Sequence, residues 1–71
     1  MSIDAVLHDI DGRGVATVVL NRPEVNNAYD DAVIQGLLDA MDELGARGGL
    51  RAVVVRGAGK HFQAGADLNW I

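Results

Sequence analysis

The order of elements in this sequence is that of an α/β protein, and three observations carry the reading. Two apolar runs, residues 5–10 and 15–20, flank the turn Asp11-Gly12-Arg13-Gly14. An apolar period of 3.6 residues then extends over 28–46. A short apolar run with basic ends, Arg51-Ala-Val-Val-Val-Arg56, follows the glycines after it. Strand, strand, helix, strand is an order that packs a helix onto a sheet.

The first strand, 5–10, keeps alternation only partly through Val6 and Leu7. The two turn glycines can take positive φ, which suits a short hairpin and makes the first two strands an antiparallel pair. Val15-Ala16-Thr17-Val18-Val19-Leu20 is apolar on both faces apart from Thr17. Pro23 ends that strand, because it lacks an N–H and pushes Arg22 out of helical geometry. Asn27 is placed to cap the helix, with Asp30 and Asp31 in its positive first turn. Ala32, Val33, Gly36, Leu37, Ala40, Met41 and Leu44 share the buried face, and Asp39, Asp42 and Glu43 the wet one. Gly45, Gly48 and Gly49 surround the helix end, where glycine accepts a left-handed cap. The strand 51–56 is apolar on both faces, as in a doubly covered sheet. Gly57-Ala58-Gly59 is a loop, Phe62 to Ala64 one more short strand, and a helix starts at about Asp67.

The totals restrict the function classes. Seventy-one residues make one domain at most, and a domain this small buries only about 60% of its unfolded surface. There is no cysteine to staple it, and two separated histidines, His8 and His61, make no structural zinc site. No metal is expected. The apolar share of 49% supports a core, which is aliphatic because Tyr29, Phe62 and Trp70 are its only aromatics. The composition reads as a slice of a larger α/β domain. A net charge of -4, with ten acidic and six basic residues, leaves no phosphate-tracking stripe and argues against nucleic acid. No apolar run approaches the ~18 residues of a membrane span, and Met1-Ser2-Ile3-Asp4 lacks the basic region of a signal peptide. A soluble, cytoplasmic protein without a membrane partner is the expectation.

The chemistry concentrates between Lys60 and Ile71. Ala64-Gly65-Ala66 places three small residues in a row, which lets a ligand approach the backbone and leaves N–H groups to face an anionic oxygen. The same three residues also suit tight strand-to-helix packing, and spacing alone does not separate the two readings. A second segment, Leu20-Asn21-Arg22-Pro23-Glu24-Val25-Asn26-Asn27-Ala28, leads from strand to helix.

Together the two segments resemble the enoyl-CoA hydratase/isomerase family, the crotonases. Its members carry Asn-Arg-Pro…Asn-Ala after the second strand and Phe-x-Ala-Gly-Ala-Asp-Leu after the third; here these are Asn21-Arg22-Pro23…Asn27-Ala28 and Phe62 to Leu68. The resemblance covers essentially the whole chain but only the N-terminal quarter of a family member. It implies that 1–71 is the N-terminal portion of an incomplete core domain, part of a crotonase (ClpP/crotonase-like) spiral of ββα units. Asn69-Trp70 and the Asn26-Asn27-Ala28 triplet look most like the methylglutaconyl-CoA and isohexenylglutaconyl-CoA hydratases.

By that resemblance the chain is part of a lyase adding water to an α,β-unsaturated acyl-CoA, with coenzyme A entering as part of the substrate and no separate cofactor. Such a reaction puts negative charge on the thioester oxygen, and losing one N–H donor to it costs roughly 3–4 kcal/mol of barrier. The Ala66 N–H is the implied first donor. Val25, Ala28, Ala64, Gly65, Asp67 and Leu68 are the implied CoA-binding neighbours. A glycine N–H and two carboxylates complete the family's site at positions after Ile71, so the 71 residues alone are expected to be inactive. Trimers or dimers of trimers are implied for the full-length protein. Asp67 suits a helix N-cap better than direct chemistry, and Glu24 stands where relatives often have a basic residue. Lys60 and Arg22 are read as solvated, His8 as a strand-edge residue, and Trp70 as core; His61 has no partner in sequence. Isomerase, dehalogenase or thioester hydrolase activity, or a non-catalytic CoA-binding or assembly module, are the alternatives. A Rossmann site is not, because Gly57, Gly59 and Gly65 do not spell Gly-x-Gly-x-x-Gly.

Overall fold

A computed structural model describes residues 4–71 of the chain. Strand β1 (Val6–Ile10) and strand β2 (Val15–Leu20) form the expected antiparallel pair, with Val6 opposite Leu20 and Ile10 opposite Ala16. The turn between them is tied by the Asp11 carboxylate, whose Oδ1 accepts the N–H groups of Arg13 (2.8 Å) and Val15 (3.1 Å). Of its two glycines only Gly14 takes positive φ.

After a 3-10 turn (Pro23–Val25) comes helix α1 (Asp31–Ala46), then strand β3 (Ala52–Gly57). Strand β3 lies parallel to β2, with Val15 opposite Ala52 and Leu20 opposite Gly57, so the sheet order is β1-β2-β3. The α/β order is therefore as expected. Ala16, Val18 and Leu20 alternate onto the face that α1 covers, where they meet Val6, Val33, Ala40 and Leu44. Each fully buried Leu or Val side chain here contributes roughly 1.5–3 kcal/mol.

Several expectations are corrected. The helix starts at Asp31, and its cap is Asp30, whose Oδ1 accepts the Val33 N–H at 3.1 Å. Asn27 cannot cap it, because Asn26 and Asn27 both hold left-handed φ (55° and 58°) and keep the chain out of a helix. The buried face is narrower than the pattern implied: Ala32 and Met41 are exposed, and α1 packs mainly on β1 and β2. Among the described residues nothing packs over β3, and Val53, Val54 and Val55 are exposed. The helix end uses no left-handed glycine. Gly45 is helical, Arg47 caps in an extended conformation, and the positive φ falls later, at Gly49. Phe62 to Ala64 form no strand, and 68–70 make a turn rather than a helix. Trp70 is not core; it leans on Tyr29, ring centroids 5.9 Å apart and tilted by 59°. Among the described residues no helix is long and apolar enough to cross a membrane.

Candidate active site

Because β2 and β3 are parallel neighbours, the segments leaving their carboxyl ends emerge side by side. Such ends are where open α/β sheets hold ligands. Here the two segments are 21–30, after β2, and 58–71, after β3.

Three sets of hydrogen bonds weld them. Asn27, 0% exposed, accepts the Arg22 N–H at 2.8 Å and donates Nδ2 to the carbonyls of Ala58 (2.9 Å) and His61 (2.7 Å). Its side-chain oxygen is satisfied within its own segment and its amide NH₂ across the gap, which is what allows an amide to be buried. Arg22, whose side chain is 19% exposed, sends Nη1 to the Ala28 carbonyl (2.8 Å) and Asp30 Oδ2 (3.3 Å), and Nη2 to Asp67 Oδ2 (3.2 Å). It is a clamp with a fixed fork, not a solvated charge, and its guanidinium is spent on protein groups.

The third set is a single parallel bridge between Tyr29 and Ala66: the Tyr29 N–H donates to the Gly65 carbonyl and the Asp67 N–H to the Tyr29 carbonyl, both at 2.9 Å. In a parallel bridge the middle residue's own N–H and C=O face the opposite edge. The Ala66 N–H accordingly meets no acceptor among the described residues, and Ala66 is only half-buried. A preorganised, unspent N–H beside an exposed loop can stabilise a developing oxyanion.

The other sequence-derived residues divide around this point. Ala64 and Leu68 are exposed, Leu68 by 85%, so both side chains lie open beside Ala66. Gly65 and Asp67 are half-buried in the bridge itself. Asp67 Oδ1 accepts the Asn69 N–H at 2.9 Å, and its carbonyl accepts from Trp70 and Ile71, the hydrogen bonds expected of a capping residue. Ala28 is buried, with its N–H on the Val25 carbonyl and its own carbonyl accepting from Arg22 Nη1. Val25 closes the 3-10 turn. Lys60 and His61 are exposed, and only the His61 carbonyl is used. His8 pairs with Glu43 at 3.1 Å, linking β1 to α1 rather than joining these loops.

Sequence reasoning missed Arg22 as a clamp and Tyr29 as the partner of Ala66. An arginine followed by proline and two asparagines just after a strand was the available signal for Arg22; nothing local marks Tyr29.

The sequence model of the enoyl-CoA hydratase/isomerase family matches residues 11–71. A Thermus thermophilus protein provisionally named as an enoyl-CoA hydratase is 49% identical over 57 residues, which are 80% of this chain and 22% of that protein. The trans-2-decenoyl-[acyl-carrier-protein] isomerase of Streptococcus mutans is 34% identical over 96% of this chain and 26% of its own length. The crystal structure of an enoyl-CoA hydratase from Mycobacterium smegmatis superposes with a TM-score of 0.89 at 42% identity, covering 94% of this chain and 26% of that one. The chain spans about a quarter of the length of these relatives.

Proposed function

Because the chain belongs to the enoyl-CoA hydratase/isomerase family, we propose that it supplies the first oxyanion donor of an acyl-CoA hydratase. The observation that carries this reading is the Ala66 N–H, left without an acceptor among the described residues by the bridge to Tyr29. Water adds to the β-carbon of the unsaturated thioester, electron density moves to the thioester oxygen, and the Ala66 N–H stabilises the enolate. Ala64 and Leu68 border the acyl-CoA, and Val25, Ala28, Gly65 and Asp67 complete the proposed CoA-binding set around Ala66. Asp67 is not the acid or base, since Arg22 and the Asn69 N–H occupy its carboxylate. Proton transfer falls to carboxylates outside these residues. A branched glutaconyl-CoA is the proposed substrate, on the Asn69-Trp70 and Asn26-Asn27-Ala28 signatures. The full-length protein is proposed to work in the cytoplasm as a trimer or dimer of trimers.

Isomerisation is the second reading, favoured by the Streptococcus mutans relative, because moving a double bond passes through the same enolate. The test is to incubate the full-length protein with enoyl-CoA thioesters, follow loss of enoyl-thioester absorbance and weigh the product. Gain of one water supports hydration, and an unchanged mass with a moved double bond supports isomerisation. Ala66→Pro removes the donor without breaking an internal hydrogen bond and should lower kcat by about 10²–10³. Unchanged turnover in that variant would overturn the reading.

A further inference from the structure

Gln63 takes no part in the proposed reaction, yet its side chain closes on the residue before the oxyanion donor. Its Oε1 accepts the Gly65 N–H at 2.9 Å, and its Nε2 donates to the Gly65 carbonyl at 3.0 Å. The amide orientation follows from chemistry: only an oxygen can accept that N–H, and only an NH₂ can donate to that carbonyl. The same carbonyl also receives the Tyr29 N–H at 2.9 Å.

The Gly65 carbonyl and the Ala66 N–H belong to one peptide unit. That unit is planar and trans, so the two groups point in opposite directions and fixing one aims the other. Gly65 sits at φ 88° with no Cβ, a residue about which such a unit can otherwise rotate. Tyr29 alone would hold the carbonyl by a single bond. Gln63 adds a second from another direction, and hydrogen bonds to a carbonyl polarise the N–H at the other end of the same amide. We propose that Gln63 is a positioning residue that holds the 65–66 peptide so that the Ala66 N–H faces the thioester oxygen and donates more strongly. This rests on the reading of Ala66 as oxyanion donor.

The experiment uses the full-length protein and two variants. Gln63→Met keeps the length of the side chain and loses both hydrogen bonds. Gln63→Glu keeps an acceptor for the Gly65 N–H but sets a carboxylate oxygen against the Gly65 carbonyl. Two readouts are taken: kcat and KM with an enoyl-CoA, and the absorption band of a bound aryl-substituted enoyl-CoA, which moves to the red when its carbonyl oxygen is polarised. In both variants kcat should fall about five- to tenfold, the worth of the lost hydrogen bond to the Gly65 carbonyl, with KM within about twofold. The red shift should shrink in step, which a merely structural loss would not produce. Wild-type kcat and red shift in both variants would overturn the proposal, as would a raised KM with kcat unchanged, the mark of a direct CoA contact. Failure of the underlying reading looks different: the wild-type protein gives no red shift, or Ala66→Pro retains it in full, and the proposal falls with it.

Discussion

Asn27 occupies the space that a side chain on Gly57 would need: a Cβ there would lie 2.7 Å from Asn27 Nδ2. It would also lie 2.5 Å from the carbonyls of both His61 and Phe62. The end of β3 thus has to be bare for the asparagine to reach across from the segment after β2. That pairing sets the spacing of the two loops that carry Tyr29 and Ala66.

Gly57→Ala should therefore destabilise by about 1–3 kcal/mol, because backbone rather than a flexible side chain must give way. Asn27→Ala should cost about 2–4 kcal/mol, since it strands the Ala58 and His61 carbonyls and the Arg22 N–H together. Urea denaturation of each variant checks both. Wild-type midpoints would contradict the account of the weld.

Arg22→Lys should not be conservative. An ammonium cannot reach Ala28, Asp30 and Asp67 at once, so a loss of about 1–3 kcal/mol is expected. Faster amide exchange should appear at Asp67 and Tyr29, the two ends of the bridge, before it appears in β2. Hydrogen exchange followed by NMR measures this directly.

Two helical glycines should respond oppositely to alanine. At Gly36 a Cβ would sit 2.9 Å from Val6 Cβ and Cγ2, so the helix lies against β1 only because that position is bare. Gly36→Ala should lower stability despite a propensity gain of about 1 kcal/mol. At Gly45 nothing lies within 4 Å, and Gly45→Ala should raise stability by about 0.5–1 kcal/mol. Thermal unfolding of the pair decides whether close approach or propensity wins.

The hairpin turn carries a pH dependence. The Arg13 side chain, bonded to Asp11 Oδ2 through Nε (3.0 Å) and Nη2 (2.7 Å), holds the Asp11 carboxyl below the usual carboxylate range; the Val15 and Arg13 N–H groups add to this. A carboxyl lowered by folding stabilises fully above its unfolded value of about 3.9 and loses that contribution as pH falls through the folded value. An NMR titration of the Asp11 carboxyl carbon should show a midpoint below that of an unfolded aspartate. Arg13→Met should move it upward.

What could be read along the chain was whatever neighbours in sequence decide. The hairpin, the strand-ending Pro23 and the apolar stripe of α1 follow from residues a few positions apart, and the Phe62 to Leu68 motif singles out Ala66 by residue type alone. What only the folded chain decided depends on partners far away in sequence. Asn27 looked like a cap because asparagine caps helices, but carbonyls beyond β3 claim its amide, its φ is left-handed, and the cap passes to Asp30. Arg22 looked solvated because a lone arginine usually is; Asp67, 45 positions on, makes it a clamp. The direction of the Ala66 N–H was invisible for the same reason. It is set by which edge of Ala66 the Tyr29 backbone occupies, and hydrogen-bond direction across two loops is a property of their juxtaposition, not of either segment.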